Sequence, residues 1–265
     1  MLFYFIYSTL RLLRRLLMHL HHLLPTINGI AVLMYHNIMP AKGDRSTVTT
    51  NQLREQWNYL KENNYVCLSM KKFLSVIFGK EPAPEKSFLL TFDDGYLNNL
   101  KYAYPMLQEF GWSATFFLIA SNLKKNICSA CEDHEKMNTL QLSKIDPDTV
   151  QFGMHGYEHE NFSELSSAEA HHVTRQMIEA FDESGLQYHK VLAYPFGARP
   201  KNSEKFKQLR SIFQKAGIAA AFRVGNKPQV TSDVNHYQMK RIDICGDDTI
   251  QDFAIKLRKG KLKPF

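Results

Sequence analysis

The sequence predicts an α/β fold in which parallel strands close into a barrel with helices outside. Three observations predict it. Short apolar runs alternate with stretches of helical periodicity from residue 29 to residue 245. No internal repeat or low-complexity linker divides that stretch. Asp93 and His155 stand at the ends of apolar runs, where strands give way to loops and such barrels carry their chemistry.

The elements follow in order. GIAVLMYH, residues 29–36, is continuous and apolar and predicts a buried strand. TNQLREQWNYLKENN, residues 50–64, places Leu53, Trp57 and Leu60 at helical spacing. YVCLSM (65–70) predicts a short strand and KKFLSVIFGK (71–80) a short helix closed by Gly79. KSFLLTFD (86–93) predicts a strand, 97–110 a helix stopped by Gly111, and SATFFLIA (113–120) another strand. Residues 121–148 are polar and irregular and predict an insertion. TVQFGMH (149–155) predicts a strand. Ser166, with Glu169 three residues on, forms a capping box that opens the next helix. KVLAYPF (190–196) predicts a strand, and helix 202–216 buries Phe206, Leu209, Phe213 and Ala216 before Gly217 stops it. IAAAFRV (218–224) and QMKRIDIC (238–245) close the series.

At 265 residues, 44% hydrophobic and 22% charged, the chain is long enough and apolar enough for a sizeable core. The formal charge of +7 favours anionic partners. The basic residues are scattered, with no Arg/Lys tract interleaved with aromatics, so no nucleic-acid partner is expected. Cys67, Cys128, Cys131 and Cys245 are too sparse for a disulfide scaffold. Cys128 and Cys131 form a C-x-x-C without a second pair, which leaves a redox pair, half a zinc knuckle or a loop with two free thiols.

Residues 1–25 read as a separate segment ahead of a domain over 26–265. Uncharged residues come first and Arg11, Arg14 and Arg15 follow, the reverse of a secretory signal. On a helix, Ser8, Arg11, Arg15, His19 and His22 fall along one side, with Leu2, Phe3, Ile6, Leu10, Leu13, Leu17, Leu20 and Leu24 over most of the rest. That pattern predicts an interfacial helix on a membrane surface; a helix docked on the protein's own core is the alternative. Unpaired cysteines and the lack of a cleavable signal point to the cytoplasmic face.

Three segments carry chemistry. LLTFDDGY (89–96) sets Asp93 and Asp94 side by side after a buried run. Adjacent buried carboxylates are costly unless paired, so the choice is between a solvated turn and a cation site with one carboxylate left for proton transfer. MHGYEHENF contains His155 and His159 four apart, read as one helical turn with both imidazoles facing one point. Two imidazoles and a carboxylate leave coordination positions open, which is a catalytic arrangement. AYPFGARP (193–200) predicts a rigid turn able to present a backbone N–H.

Together, TFDDGY, HGYEH and YPFG resemble the polysaccharide deacetylases, the NodB-homology group of carbohydrate esterase family four, over roughly residues 30–245. VLMYHNI and GWSATFFL also look like that family. The resemblance implies a distorted (β/α)7 barrel and metal-dependent hydrolysis of an N-acyl group, usually N-acetyl, on a sugar. It implies Asp93 as catalytic base, Asp94, His155 and His159 as metal ligands, and the Phe196 N–H as oxyanion donor. Tyr157, Pro195 and Arg241 are the expected substrate-binding residues. Zinc is the default ion for this donor set, with cobalt, nickel or manganese also suited. The expected partner is an N-acetylated carbohydrate or a lipid-linked sugar.

Two positions depart from the family's pattern. Its proline turn often begins with an arginine that steers the base, and Ala193 stands there. Its late histidine acid has no counterpart after residue 236. Arg241 is the candidate guanidinium, His36 the candidate acid, and His236 the next in line. These departures keep open a catalytically impaired, carbohydrate-binding protein. Two histidines and a carboxylate also suit Fe(II), but the aspartate lies some sixty residues before the histidines and beside a second aspartate, which argues against an oxygenase.

Overall fold

The computed structural model describes residues 25–124, 135–232 and 235–261. Strand β1 (Ala31–Tyr35) leads into a small parallel pair, β2 (Asn37–Met39) and β3 (Thr47–Thr49). Helix α1 (Thr50–Glu62), β4 (Val66–Cys67), α2 (Met70–Ile77) and β5 (Ser87–Phe92) follow. A π-helical turn (Asn99–Ala103) enters α3 (Tyr104–Phe110), and then come β6 (Ala114–Leu118), a 3-10 helix (Ala120–Lys124) and the short α4 (Thr139–Leu142). The second half runs β7 (Val150–Met154), α5 (Ser167–Ser184), β8 (Tyr188–Ala193), α6 (Ser203–Lys215), β9 (Ala220–Val224), β10 (Met239–Asp243) and α7 (Ile250–Lys259).

Seven parallel strands close a ring in the order β1, β10, β9, β8, β7, β6, β5 and back to β1. The closure is β1 on β5, in register from Ala31↔Phe88 to Tyr35↔Phe92. β4 adds to the start of β5 through Val66↔Ser87 and Cys67↔Phe88. This is the (β/α)7 barrel the resemblance implied.

Strands buried on both faces read as unbroken apolar runs, and β1, β5 and β6 are buried at every residue. Inside the ring, Val32, Leu89, Phe117, Val191, Phe222 and Met239 pack together. Helix α2 adds Met70, Phe73, Val76 and Ile77 to that cluster. Its first N–H donates to Gln151 at the start of β7, so α2 stoppers the barrel at the N-terminal ends of the strands. The outer layer is a second cluster, in which Leu33, Phe92 and Phe152 meet Trp57, Leu107, Phe181 and Phe213. The capping box of Ser166 and Glu169 opens α5 as expected.

Several expectations need correction. The β2–β3 pair and α7 were not foreseen, although Thr249 and Asp252 form a capping box at the start of α7. The helix expected over 97–110 begins as a π turn. The placement on the cytoplasmic face of a membrane, expected from residues 1–25 and the cysteines, is withdrawn: among the described residues no helix is long and apolar enough to cross a membrane. Residues 1–24, which carried that expectation, and the Cys128/Cys131 motif lie outside the described residues.

Close packing makes Gly153 on β7 sensitive. An added Cβ would sit 2.7 Å from the Phe117 ring and 3.1 Å from Val191. Gly153→Ala is expected to cost about 1–3 kcal/mol by overpacking, read as a lower urea midpoint.

Candidate active site

The site is built at the C-terminal ends of the strands. Asp93 and Asp94 follow β5, His155 follows β7, the turn Tyr194–Gly197 follows β8, His36 follows β1, and Arg241 lies on β10. Asp93 is 2% exposed and Arg241 0%. The guanidinium grips the carboxylate with both forks, Nη1 to Oδ1 at 2.6 Å and Nη2 to Oδ2 at 2.7 Å. Nη1 also donates to Thr91, whose hydroxyl donates to the Leu33 carbonyl. Burial pushes the Asp93 carboxyl up, but Arg241, with His155 and His36, more than offsets it and leaves it below its usual value.

Asp94 turns the other way. Its backbone is left-handed, with φ 71, and Gly95 follows at φ 68. Its Oδ1 lies 3.3 Å from His155 Nε2 and 3.4 Å from His159 Nε2. These three donor atoms all lie within 4.8 Å of one another. Asp94 Oδ1 is buried and accepts no hydrogen bond in this arrangement. A buried carboxylate oxygen that faces two imidazole nitrogens fits a divalent cation. His155 Nδ1 is 2.8 Å from the Ala193 carbonyl. A carbonyl only accepts, so Nδ1 carries the proton and Nε2 keeps its lone pair for the site. Burial pushes the Asp94 carboxyl up, and His155, His159 and Lys136 hold it well below the usual carboxylate range.

The two histidines converge through a tight loop, which corrects the expected helical turn. His159 has φ 67 and Gly156 φ 80. The Glu160 carboxylate accepts from the N–H groups of Tyr157 at 2.9 Å and Glu158 at 2.8 Å. A Cβ on Gly156 would lie 2.8 Å from Glu160 Oε2 and 3.2 Å from Pro195, so the loop requires glycine there.

The other expected residues fall as follows. His36 Nε2 is 3.9 Å from Asp93 Oδ2, at 25% exposure. Phe196 has φ 59, is 69% exposed, and sets its ring 4.5 Å from that of His159. Pro195 is buried against the histidine loop and Arg241 is buried in the barrel. Tyr157 is half-buried, and its carbonyl accepts from the Ser121 N–H. His236 lies at the opposite end of the barrel, just before β10, with its ring 4.6 Å from that of Phe78. Sequence reasoning missed Glu160 and Lys136. Lys136 places Nζ 3.5 Å from Asp94 Oδ2, and burial pulls its ammonium down to about 8 against the opposing pull of Asp94.

A parallel seven-stranded barrel with a carboxylate–imidazole cluster at its open end defines the class. A profile of the polysaccharide deacetylase family matches residues 80–221, more than half of the chain, and the chain belongs to that family. It is 36% identical to a poly-β-1,6-N-acetyl-D-glucosamine N-deacetylase of Escherichia coli K12 over 96 residues, 36% of this chain and 14% of that one. Its identity to the enzyme of the same name from Staphylococcus aureus MRSA252 is 25% over 207 residues, 76% of this chain and 69% of that one. A Streptococcus pyogenes deacetylase solved with acetate shares the fold, with a TM-score of 0.73 at 18% identity, covering 86% of this chain and 98% of that one.

The Asp93–Arg241 pair makes a pH-dependent prediction. The Asp93 carboxyl is depressed on folding, so the pair's contribution is complete above about pH 4 and is lost as pH falls through the folded value. Arg241→Met leaves a buried unpaired carboxylate and should cost about 3–5 kcal/mol near pH 7. The gap from wild type should narrow in acid, where the carboxyl is neutral, as urea midpoints taken across pH will read.

Proposed function

We propose that the chain is a metal-dependent N-deacetylase of an N-acetylated amino-sugar glycan. One catalytic domain over residues 26–265 carries this activity. The observation that supports it most is the division between adjacent carboxylates: Asp93 is clasped by Arg241, and Asp94 faces two imidazoles. Asp94, His155 and His159 would hold a divalent ion, zinc by preference for this donor set, with cobalt, nickel or manganese as substitutes. Bound there, the ion supplies Lewis acidity to water and to the acetyl carbonyl.

The chain's own groups do the rest. Asp93 takes the proton of the attacking water, and Arg241 keeps that carboxylate ionised and aimed. The Phe196 N–H stabilises the oxyanion; the turn spends the Gly197 and Ala198 N–H groups on its own carbonyls. His36, beside Asp93, protonates the departing amine. The guanidinium absent at Ala193 is supplied from β10, which removes the first ground for an impaired, binding-only protein. Poly-β-1,6-N-acetylglucosamine is the first substrate to test, on the names of the relatives, with lipid-linked N-acetyl sugars beside it.

Acetate release from these substrates, with each metal in turn, is the test. No release from any substrate with any metal would overturn the reading. Asp93→Asn should retain the ion and lose about 10²–10⁴ in kcat, whereas His159→Ala should lose the ion itself by elemental analysis. His36→Ala should lower kcat about a hundredfold and flatten the basic limb of the pH–rate profile. An unchanged profile would remove His36 from the acid role.

A further inference from the structure

Residues 135–137 lie against the Asp-Asp-Gly-Tyr turn. The Leu97 N–H donates to the Glu135 carbonyl at 2.7 Å, and the Met137 N–H donates to the Gly95 carbonyl at 2.8 Å. Tyr96 and Lys136 thereby form an antiparallel bridge. This lays the Lys136 side chain across the Asp-Asp-Gly-Tyr turn. Its Nζ stands 3.1 Å from the centre of the Tyr96 ring and 3.5 Å from Asp94 Oδ2. Lys136 is 26% exposed and Asp94 13%, so water screens the contact only in part.

The two oxygens of Asp94 therefore meet different partners. Oδ1 faces His155 and His159, while Oδ2 faces an ammonium group. A carboxylate free to rotate binds a cation through one oxygen or through both. A cation held against one oxygen removes that choice, as outer partners of metal ligands do elsewhere.

We propose that Lys136 is a positioning residue for the metal centre: it holds Asp94 Oδ2 so that Oδ1 alone is offered to the ion. The inference rests on the metal reading above. It gives the bridge between Tyr96 and Lys136 a purpose, which is to deliver a fixed cation to the back of a ligand. Replacing the ammonium by an apolar side chain lets the carboxylate swing onto the ion with both oxygens and take up a position otherwise left for water or substrate.

Cobalt(II) added to the metal-free full chain is the probe, because its visible absorption weakens as coordination number rises. Wild type should bind one equivalent with a strong visible band. Lys136→Met should bind cobalt with that band clearly weakened and should lose about ten- to a hundredfold in kcat. Lys136→Arg should restore the band, since it restores the charge. Circular dichroism and the urea midpoint of each variant should match wild type, which separates positioning from folding. An identical spectrum for Lys136→Met and wild type would overturn the positioning role and leave the metal reading intact. Failure of wild type to bind cobalt, nickel or zinc would overturn both.

Discussion

A single buried ion pair organises this site. Asp93 and Arg241 are taken almost wholly out of water, at a desolvation cost of several kcal/mol for each ion. Only a two-pronged, short contact recovers that cost, and the pair has one. The residues come from β5 and β10, with β1 between them in the ring, so the contact spans the interior beneath the end of β1. Asp93 is thereby held in one place, with His36 of the β1 loop beside it. Its neighbour cannot share that position. Asp94 takes the left-handed conformation and faces the histidines that follow β7. The two adjacent carboxylates thus meet different partners.

The supports around the histidines obey the same economy of freedom. His155 is fixed by the carbonyl of Ala193, the residue that stands where the family often has arginine. The small side chain at 193 lies in the barrel interior, where a large guanidinium enters from β10 instead. His159 depends on a loop whose peptide groups are tied to Glu160 and whose bend needs Gly156. Each imidazole nitrogen that faces Asp94 is therefore set by a group that does not itself face the site.

Much of the barrel was legible because strands buried on both faces produce continuous apolar runs, and the helices between them carry clear stops. Asp93, Asp94, His155 and His159 were legible as a cluster because each stands at the end of such a run or just beyond. What the sequence hid was relation rather than identity. Arg241, between Lys240 and Ile242 on a strand that also carries Asp243, is nameable as the candidate guanidinium, but only the closure of the ring shows that it reaches inward to a residue almost 150 positions earlier while Lys240 does not. Four-residue spacing suggested a helix for His155 and His159, yet the backbone makes a loop there, which Gly156 and the carboxylate of Glu160 signal in retrospect. Lys136 was invisible because nothing in a polar insertion indicates that its chain will cross back over Tyr96. α7 carried its own signal, Thr249 with Asp252 three residues on and Phe253 and Leu257 four apart.

The α2 stopper has a geometrical consequence for anything long that the protein handles. Phe73 sits 5.6 Å from Phe222 in the interior, and Met70, Val76 and Ile77 fill the space around it. The cylinder therefore has one mouth and no passage. A chain molecule cannot be threaded through it; whatever enters the mouth must leave by the same mouth.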